Sequence, residues 1–260
     1  MTFSFDLTVI AVGAALALRF GVLAATLPLV DMRTVPPLWR AALAVCLGAS
    51  LAPAVTAQLP AFPDPLTWQV ALAEGVRSLV VGAMLGFTVN LVFTAVRVAG
   101  TIAGMQVGFA IVNSFDPTTQ SQVSVLGQLY YLLTVLLFFA TGTHHILVGA
   151  MVRSCEILPP FSGIQTAGAS WFLLQEFGEV FSVGLRIAAP VVLVLLLVSS
   201  AMGVIVKTVP QLNILVVGFP IKIGVGVFVF GLSLVYFKEV VLGQFSGLEG
   251  MLNGVMLALR

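Results

Sequence analysis

Charged residues are scarce: they make up 8% of the 260-residue sequence, with 11 basic and 10 acidic side chains and a formal net charge of +1. No basic block is present, which excludes a nucleic-acid-binding surface and a polybasic lipid-binding segment. Apolar residues take the place of charge, at 60% of the chain with a mean hydropathy of +1.14. Soluble domains do not have this composition, so a soluble cytosolic enzyme is excluded. The sequence predicts an integral membrane protein.

Cysteines and catalytic motifs are also scarce. The two cysteines, Cys46 and Cys155, have no metal-ligand spacing, and we expect both to be buried free thiols. His144 and His145 are adjacent, so on a helix they point about 100° apart, which favours a packed pair over a metal site. The sequence has no HExxH, GxSxG or Walker-type motif. We therefore predict no enzymatic activity, no metal and no cofactor.

Long apolar segments are abundant, and about six of them reach the roughly 20 residues that a membrane span requires. They are residues 7–29, 39–59, 65–107, 126–158, 180–206 and 214 to about 237. The third could form one long helix or two stacked helices. Pro190 and Pro220 lie inside such segments and free backbone carbonyls, so we expect either broken helices packed against protein or plain kinks. The predicted fold class is all-α, a polytopic membrane-type helical protein.

Five basic residues lie within or beside the apolar segments, namely Arg19, Arg77, Arg97, Arg186 and Lys222. A charge at the centre of a bilayer costs about 2.5–3.5 kcal/mol even on insertion scales. Two interpretations remain open for each. The side chain extends to the membrane interface, or the helix faces other protein subunits or a water-filled passage.

Glycines repeat at a spacing of four residues in three places: Gly82 with Gly86, Gly100 with Gly104 and Gly108, and Gly250 with Gly254. Small residues at this spacing let helix backbones approach closely inside a membrane. The middle series ends where the sequence becomes polar, at residues 108–123, and Asp116 followed by Pro117 ends helical structure there. We predict close helix packing that leads into a polar loop.

Several blocks of the sequence together resemble the FliR/SctT family of type III export-gate subunits. They are the turn with Pro28, Leu29, Arg33 and Pro36, the block GFAIVNSFDPTTQSQVSVLGQ at 108–128, the THH at 143–145, and PQLNILVVGFPIKI at 210–223. The resemblance covers nearly the whole chain. The VGFP ending at Pro220 is closer to the flagellar branch, FliR, than to the injectisome branch, SctT.

The resemblance implies a core subunit of the flagellar export gate, in the bacterial inner membrane within the basal body. It implies a fusion of two partner folds in a single integrated unit, with residues 1–170 like FliP and residues 171–260 forming a helical hairpin like FliQ. The implied partners are FliP and FliQ, with FlhB and FlhA, unfolded export substrates and the membrane, but no nucleic acid.

The resemblance also assigns site residues. A plug or gate loop at about 108–122 would comprise Gly108, Phe109, Ala110, Ile111, Val112, Asn113, Ser114, Phe115, Asp116, Pro117, Gln120 and Gln122. Its apolar side chains suit the filling of a narrow passage, and its polar ones suit rearrangement in water. Assembly or packing residues would be Arg33, Pro36, Gly100, Gly104, Pro210, Gln211, Asn213, Gly218, Phe219 and Pro220.

Three other functions remain open at the level of sequence. The chain could be the equivalent subunit of a virulence injectisome, or a scaffold for assembly without a moving loop. It could also be a secondary transporter that uses Arg77, Arg97, Asp116 and Arg186 as substrate or proton sites.

Overall fold

The computed structural model describes residues 7–26, 36–58, 67–108, 124–209 and 214–260, and this part of the chain is helical, without a strand. Its seven helices are α1 (Leu7–Thr26), α2 (Pro37–Gln58), α3 (Trp68–Val107), α4 (Val125–Ala140), α5 (Thr143–Ile157), α6 (Thr166–Thr208) and α7 (Ile214–Leu259). The all-α prediction is confirmed.

Five helices, α1, α2, α3, α6 and α7, are long and apolar enough to cross a membrane. A sixth span results if α4 and α5 are counted together as one broken span. The number agrees with the six predicted segments. The third segment is a single 40-residue helix rather than two, and 61% of its most apolar window is buried, against 17% for α2 and α6.

The fourth predicted helix, residues 126–158, was wrong as a continuous helix because it divides at Thr141 and Gly142. Gly142 adopts φ 72°, a left-handed conformation that glycine reaches without steric cost. The N–H of Thr141 closes α4 by donating to the carbonyl oxygen of Leu137. Neither position is a proline, so the apolar composition of the segment predicted a continuous helix.

Of the two outcomes left open for Pro190 and Pro220, a broken helix is not observed at either position. Pro190 lies inside α6 and Pro220 inside α7, and both helices continue through them. A proline removes one intrahelical hydrogen bond, and the remaining bonds of a helix of more than 40 residues are kept. The connection between α5 and α6 is short, because α6 begins at Thr166.

The described helices fall into two compact units. The first comprises residues 1–91, 142–177 and 247–260, and the second comprises residues 92–141 and 178–246. The predicted boundary between residues 170 and 171 lies inside α6, and the division into a FliP-like and a FliQ-like part stays a prediction.

Helices α1, α2 and α3 pack closely in the first unit through glycines. A Cβ atom built on Gly48 of α2 would lie 2.7 Å from the backbone nitrogen of Ala17 in α1. One built on Gly82 would collide with the carbonyl oxygen of Arg19, and one on Gly86 with the side chain of Thr26. The first predicted glycine pair therefore brings α3 against α1.

Aromatic side chains form the core of the second unit. Tyr130 stacks on Phe237 with ring centroids 4.6 Å apart, and its hydroxyl lies 3.4 Å from Ser233 Oγ. Phe93 and Phe138 meet edge to face at 5.8 Å. Such pairs add about 0.5–1.5 kcal/mol to the area that they bury.

The cysteine prediction is half correct. Cys155 is a buried free thiol, whereas Cys46 is free but exposed on α2. The expectation failed for Cys46 because α2 buries few of its residues inside this chain, namely Ala44, Gly48 and Ala52.

Candidate gate and assembly site

The structure describes Gly108, the first residue of the predicted plug loop, and Ser124, two residues beyond its last. The loop members from Phe109 to Gln122 lie outside the described residues, and their role as a plug stays a prediction. Gly108 follows the end of α3, and Ser124 precedes α4. These two ends belong to the second unit.

The first end of the loop depends on a glycine conformation. Gly108 has φ 103°, and its N–H donates to the carbonyl oxygen of Gly104 at 3.2 Å. A Cβ atom at Gly108 would lie 3.0 Å from the ring of Phe219, a half-buried residue of α7. The backbone therefore turns out of α3 where only glycine is unstrained, against a residue of the predicted assembly block.

The second end of the loop is fastened to the first by Ser124. Its Oγ donates to the carbonyl oxygen of Gly100 at 2.9 Å and accepts from the N–H of Gly127 at 3.3 Å. A Cβ atom on Gly104 would meet Ser124, and one on Gly100 would collide with the backbone of Gly127. We call Gly100, Gly104, Ser124 and Gly127 the loop neck. It holds the two ends of the loop together.

Ser124 and Gly127 were missed at the level of sequence. The available signal was a serine directly before an apolar run, which is typical of a helix N-cap. The cross-helix bond to Gly100 had no such signal, because it joins residues 24 positions apart.

Replacing Gly100 by alanine is expected to destabilise the second unit by about 1–3 kcal/mol, since the methyl group forces α3 away from α4. Thermal unfolding in detergent micelles, followed by helical circular dichroism, measures the loss. Gly231→Ala is the matched control, because a Cβ there meets nothing within 4 Å, and it is expected to gain up to about 1 kcal/mol. Equal stability of the two variants would show that the neck is not tightly packed.

Arg97 lies near the neck on α3. Its side chain is exposed, and its guanidinium carbon lies 4.4 Å from the centroid of the Tyr131 ring. A cation over an aromatic face is stabilised by about 0.5–2 kcal/mol. Arg186 of α6 is also exposed.

The charge of Arg19 is stabilised by backbone carbonyls of its own chain, an outcome that neither sequence interpretation included. It is 1% exposed within its own chain. Its guanidinium donates to the carbonyl oxygens of Ser154 at 2.9 Å and Leu158 at 3.1 Å. Both carbonyls lie at the C-terminal end of α5, where a cation is stabilised by the helix dipole, and Ser154 O also accepts from the N–H of Leu158 at 3.1 Å.

Arg77 is also buried, and it pairs with Glu74 at 3.2 Å on the same helix. Its second partners lie in the linker between α5 and α6: it donates to the carbonyl oxygen of Pro159 at 2.6 Å and to Ser162 Oγ at 2.7 Å. Glu74 accepts from the N–H of Phe161 at 2.7 Å. Three side chains and two backbone groups of the first unit thus meet without an unpaired charge.

The predicted assembly residues are only partly described. Arg33, Pro210, Gln211 and Asn213 lie outside the described residues. Pro36 is exposed directly before α2, Gly218 is buried in α7, and Pro220 is exposed. A role in assembly stays a prediction for all of them.

The predicted C-terminal hairpin has antiparallel contacts. In the first unit, a Cβ on Gly254 would lie 2.7 Å from the ring of Phe172. In the second unit, a Cβ on Gly226 would lie 3.5 Å from Leu195. Residues late in α7 therefore meet residues early in α6, as in a hairpin that turns between the two helices.

Much of the apolar surface is exposed. On α6 the large exposed apolar residues are Trp171, Leu174, Phe177, Phe181, Leu185, Leu193, Leu196, Leu197, Val204 and Ile205. Exposed apolar area of this extent marks contact with protein or membrane.

The adjacent histidines are packed, with ring centroids 4.1 Å apart. Within the described ranges, no group of three or more His, Cys, Asp or Glu side chains could hold a metal ion.

Comparison with known proteins gives consistent matches. The model of a family described as "Bacterial export proteins, family 1" matches residues 10–248. The flagellar biosynthetic protein FliR of Escherichia coli (strain K12) is 32% identical over 210 residues, covering 81% of this chain and 79% of that protein. FliR of Bacillus subtilis (strain 168) is 30% identical over 211 residues, 80% of each chain. The Yop proteins translocation protein T of Yersinia pestis is 27% identical over 148 residues, 56% of this chain and 57% of that protein.

Proposed function

The chain belongs to family 1 of the bacterial export proteins, and on this premise we propose that it is a core subunit of the flagellar type III protein export gate. The observation that carries the proposal is the 30–32% identity to two flagellar FliR proteins over about 80% of the chain. The injectisome relative is less similar and covers 56% of the chain. The flagellar function is therefore favoured over the injectisome alternative.

The geometry around the loop supports a gating role. The loop neck holds together the residues that flank 109–123, and this supports the proposal that the segment acts as one loop. Phe109, Ile111 and Phe115 would then fill a narrow passage and exclude ions. Gly108, at φ 103°, adopts a backbone conformation that favours glycine, and a glycine flank is consistent with a segment that rearranges.

The exposed apolar faces support assembly with membrane-associated partners of the export apparatus. We propose FliP and FliQ as direct neighbours, with FlhB and FlhA nearby, and unfolded flagellar proteins as the transported substrates. We place the complex in the bacterial inner membrane, within the basal body. The subunit acts as a structural part of the channel and performs no catalysis.

The chain is proposed to combine two parts that resemble its partners, residues 1–170 like FliP and residues 171–260 like FliQ. The antiparallel contacts between α6 and α7 support the second part as a hairpin. Because α6 crosses the boundary without a break, the two parts would act as one integrated unit.

The secondary-transporter hypothesis is weakened by the contacts that the Arg77 side chain makes. That hypothesis needs Arg77 at a substrate or proton site, but Arg77 is committed to Glu74 and to the linker after α5. A group that is already paired and hydrogen-bonded is not available for a transported ligand.

Deleting the gene in its host is expected to abolish motility and the release of hook and filament proteins into the medium, while the membrane ring still forms. Plasmid-borne wild type should restore both, and an empty plasmid is the control. Normal flagella in the deletion strain would contradict the flagellar proposal. Loss of virulence-protein export instead would favour the injectisome.

A further inference from the structure

The segment between α5 and α6, residues 158–165, collects the buried charges of the first unit. We call it the linker. Arg19 of α1 donates to Leu158 O at 3.1 Å, and Arg77 of α3 donates to Pro159 O at 2.6 Å. Glu74 accepts from the N–H of Phe161 at 2.7 Å. Three charged side chains of a charge-poor chain thus bind one short stretch of backbone.

The linker needs these bonds because it is not helical. Apart from the N–H of Leu158, which donates to Ser154 O of α5, its backbone groups lie outside the regular helical pattern, and a buried backbone group without a partner costs about 1–3 kcal/mol. Phe161 also has φ 65°, a conformation that is strained for a residue with a side chain. A strained, non-helical turn persists only where its surroundings hold it.

The far end of the linker joins the two ends of the C-terminal hairpin. The N–H of Gln165 donates to the carbonyl oxygen of Leu259 at 2.9 Å, and α6 begins at the next residue. A Cβ atom on Gly168 would lie 3.0 Å from the carbonyl oxygen of Ala258. Whatever fixes the linker therefore also fixes the base of the hairpin.

We infer that Glu74 and Arg77 act as a latch: they are positioning residues that hold the linker in one conformation and so set how the α6–α7 hairpin is presented to partner subunits. The effect on partner subunits rests on the proposed function, whereas the contacts of Glu74 and Arg77 with the linker do not. An ordinary ion pair needs only opposite charges. The latch also needs the two-pronged guanidinium, because Nη1 binds Glu74 and Pro159 while Nη2 binds Ser162.

A native thiol can report whether the latch is closed. Cys155 lies on α5 three residues before the linker and is 5% exposed, beside Ser154, which Arg19 binds. In a Cys46→Ser background it is the sole cysteine. Its rate of alkylation by N-ethylmaleimide, measured by mass spectrometry on the purified full chain, then measures local opening.

Arg77→Lys keeps the positive charge but replaces the two-pronged guanidinium by a single ammonium group. We expect this variant to speed the labelling of Cys155 about tenfold or more, with unchanged helical content. Arg153→Lys is the matched control. It alters an arginine of α5 whose 3.7 Å pair with Glu249 is exposed, and it should leave the rate unchanged. If Arg77→Lys does not accumulate, Glu74→Gln removes the charge while keeping an acceptor oxygen, and it should also speed labelling.

The consequence is measured separately, by co-purification of FliP and FliQ with the tagged chain from host membranes. Faster labelling with reduced co-purification supports the inference. Unchanged labelling in the Arg77→Lys and Glu74→Gln variants would overturn the latch, and faster labelling with full co-purification and export would overturn its positioning role. Failure of the wild-type chain to co-purify would instead refute the proposed partners, while the labelling rates still judge the latch.

Discussion

Replacing Arg19 by alanine is expected to lower the free energy of unfolding by about 3–5 kcal/mol. The side chain is among the largest that are fully buried, so its removal leaves a cavity. It also removes the side-chain donor of the Leu158 carbonyl oxygen and leaves the Ser154 carbonyl oxygen with the N–H of Leu158 alone. Thermal unfolding in detergent micelles, followed by helical circular dichroism, measures the change.

Two further variants separate the contribution of the buried side-chain volume of Arg19 from that of its hydrogen bonds. Arg19→Met approximates the volume but removes the donors, so we expect it to lose less than alanine. Arg186→Ala truncates an exposed arginine of α6 and should change stability by less than about 0.5 kcal/mol. A loss below about 1 kcal/mol for Arg19→Ala would mean that the carbonyls find other partners.

Replacing Phe109, Ile111 and Phe115 together by alanine is expected to make the membrane leaky to ions in cells that assemble the complete gate. Small side chains would no longer fill the passage, so water and ions could enter a closed gate. A membrane-potential dye and the uptake of small ions measure the leak. Co-purification with FliP and FliQ verifies that the variant assembles.

The matched control changes polar residues of the same loop, Asn113, Gln120 and Gln122, to alanine. This variant keeps the apolar filling and should stay tight. An assembled triple apolar variant with unchanged permeability would refute the plug and favour a scaffold without a moving loop. A leak in the control variant alone would place the seal on the polar side chains instead.

Local composition predicted the helices well where a segment is both apolar and bounded by breakers. The segments predicted at 7–29 and 39–59 correspond closely to α1 and α2. Predictions failed where the outcome depended on a single position. Gly142 breaks a helix that hydropathy makes continuous, and of the break or kink left open at Pro190 and Pro220 the break is not observed.

The candidate site also has a part that local sequence predicted and a part that it did not. The resemblance at 108–128 predicts a loop that stays a prediction, whereas the close packing that the glycine spacing predicts is observed at Gly100 and Gly104. Ser124 as the residue that closes the neck was not predicted. Its bond to Gly100 depends on how α3 and α4 meet, which no local pattern records.

The sequence by itself determined that this is a helical, membrane-type protein of the export family, because hydropathy and motif identity are properties of local stretches of chain. Only the tertiary structure decided where the charges go. Arg19 finds its acceptors 135 and 139 residues away, and Glu74 meets Phe161 across 87 residues. A buried charge is stable only with partners in three dimensions, and those partners exist once the helices have packed.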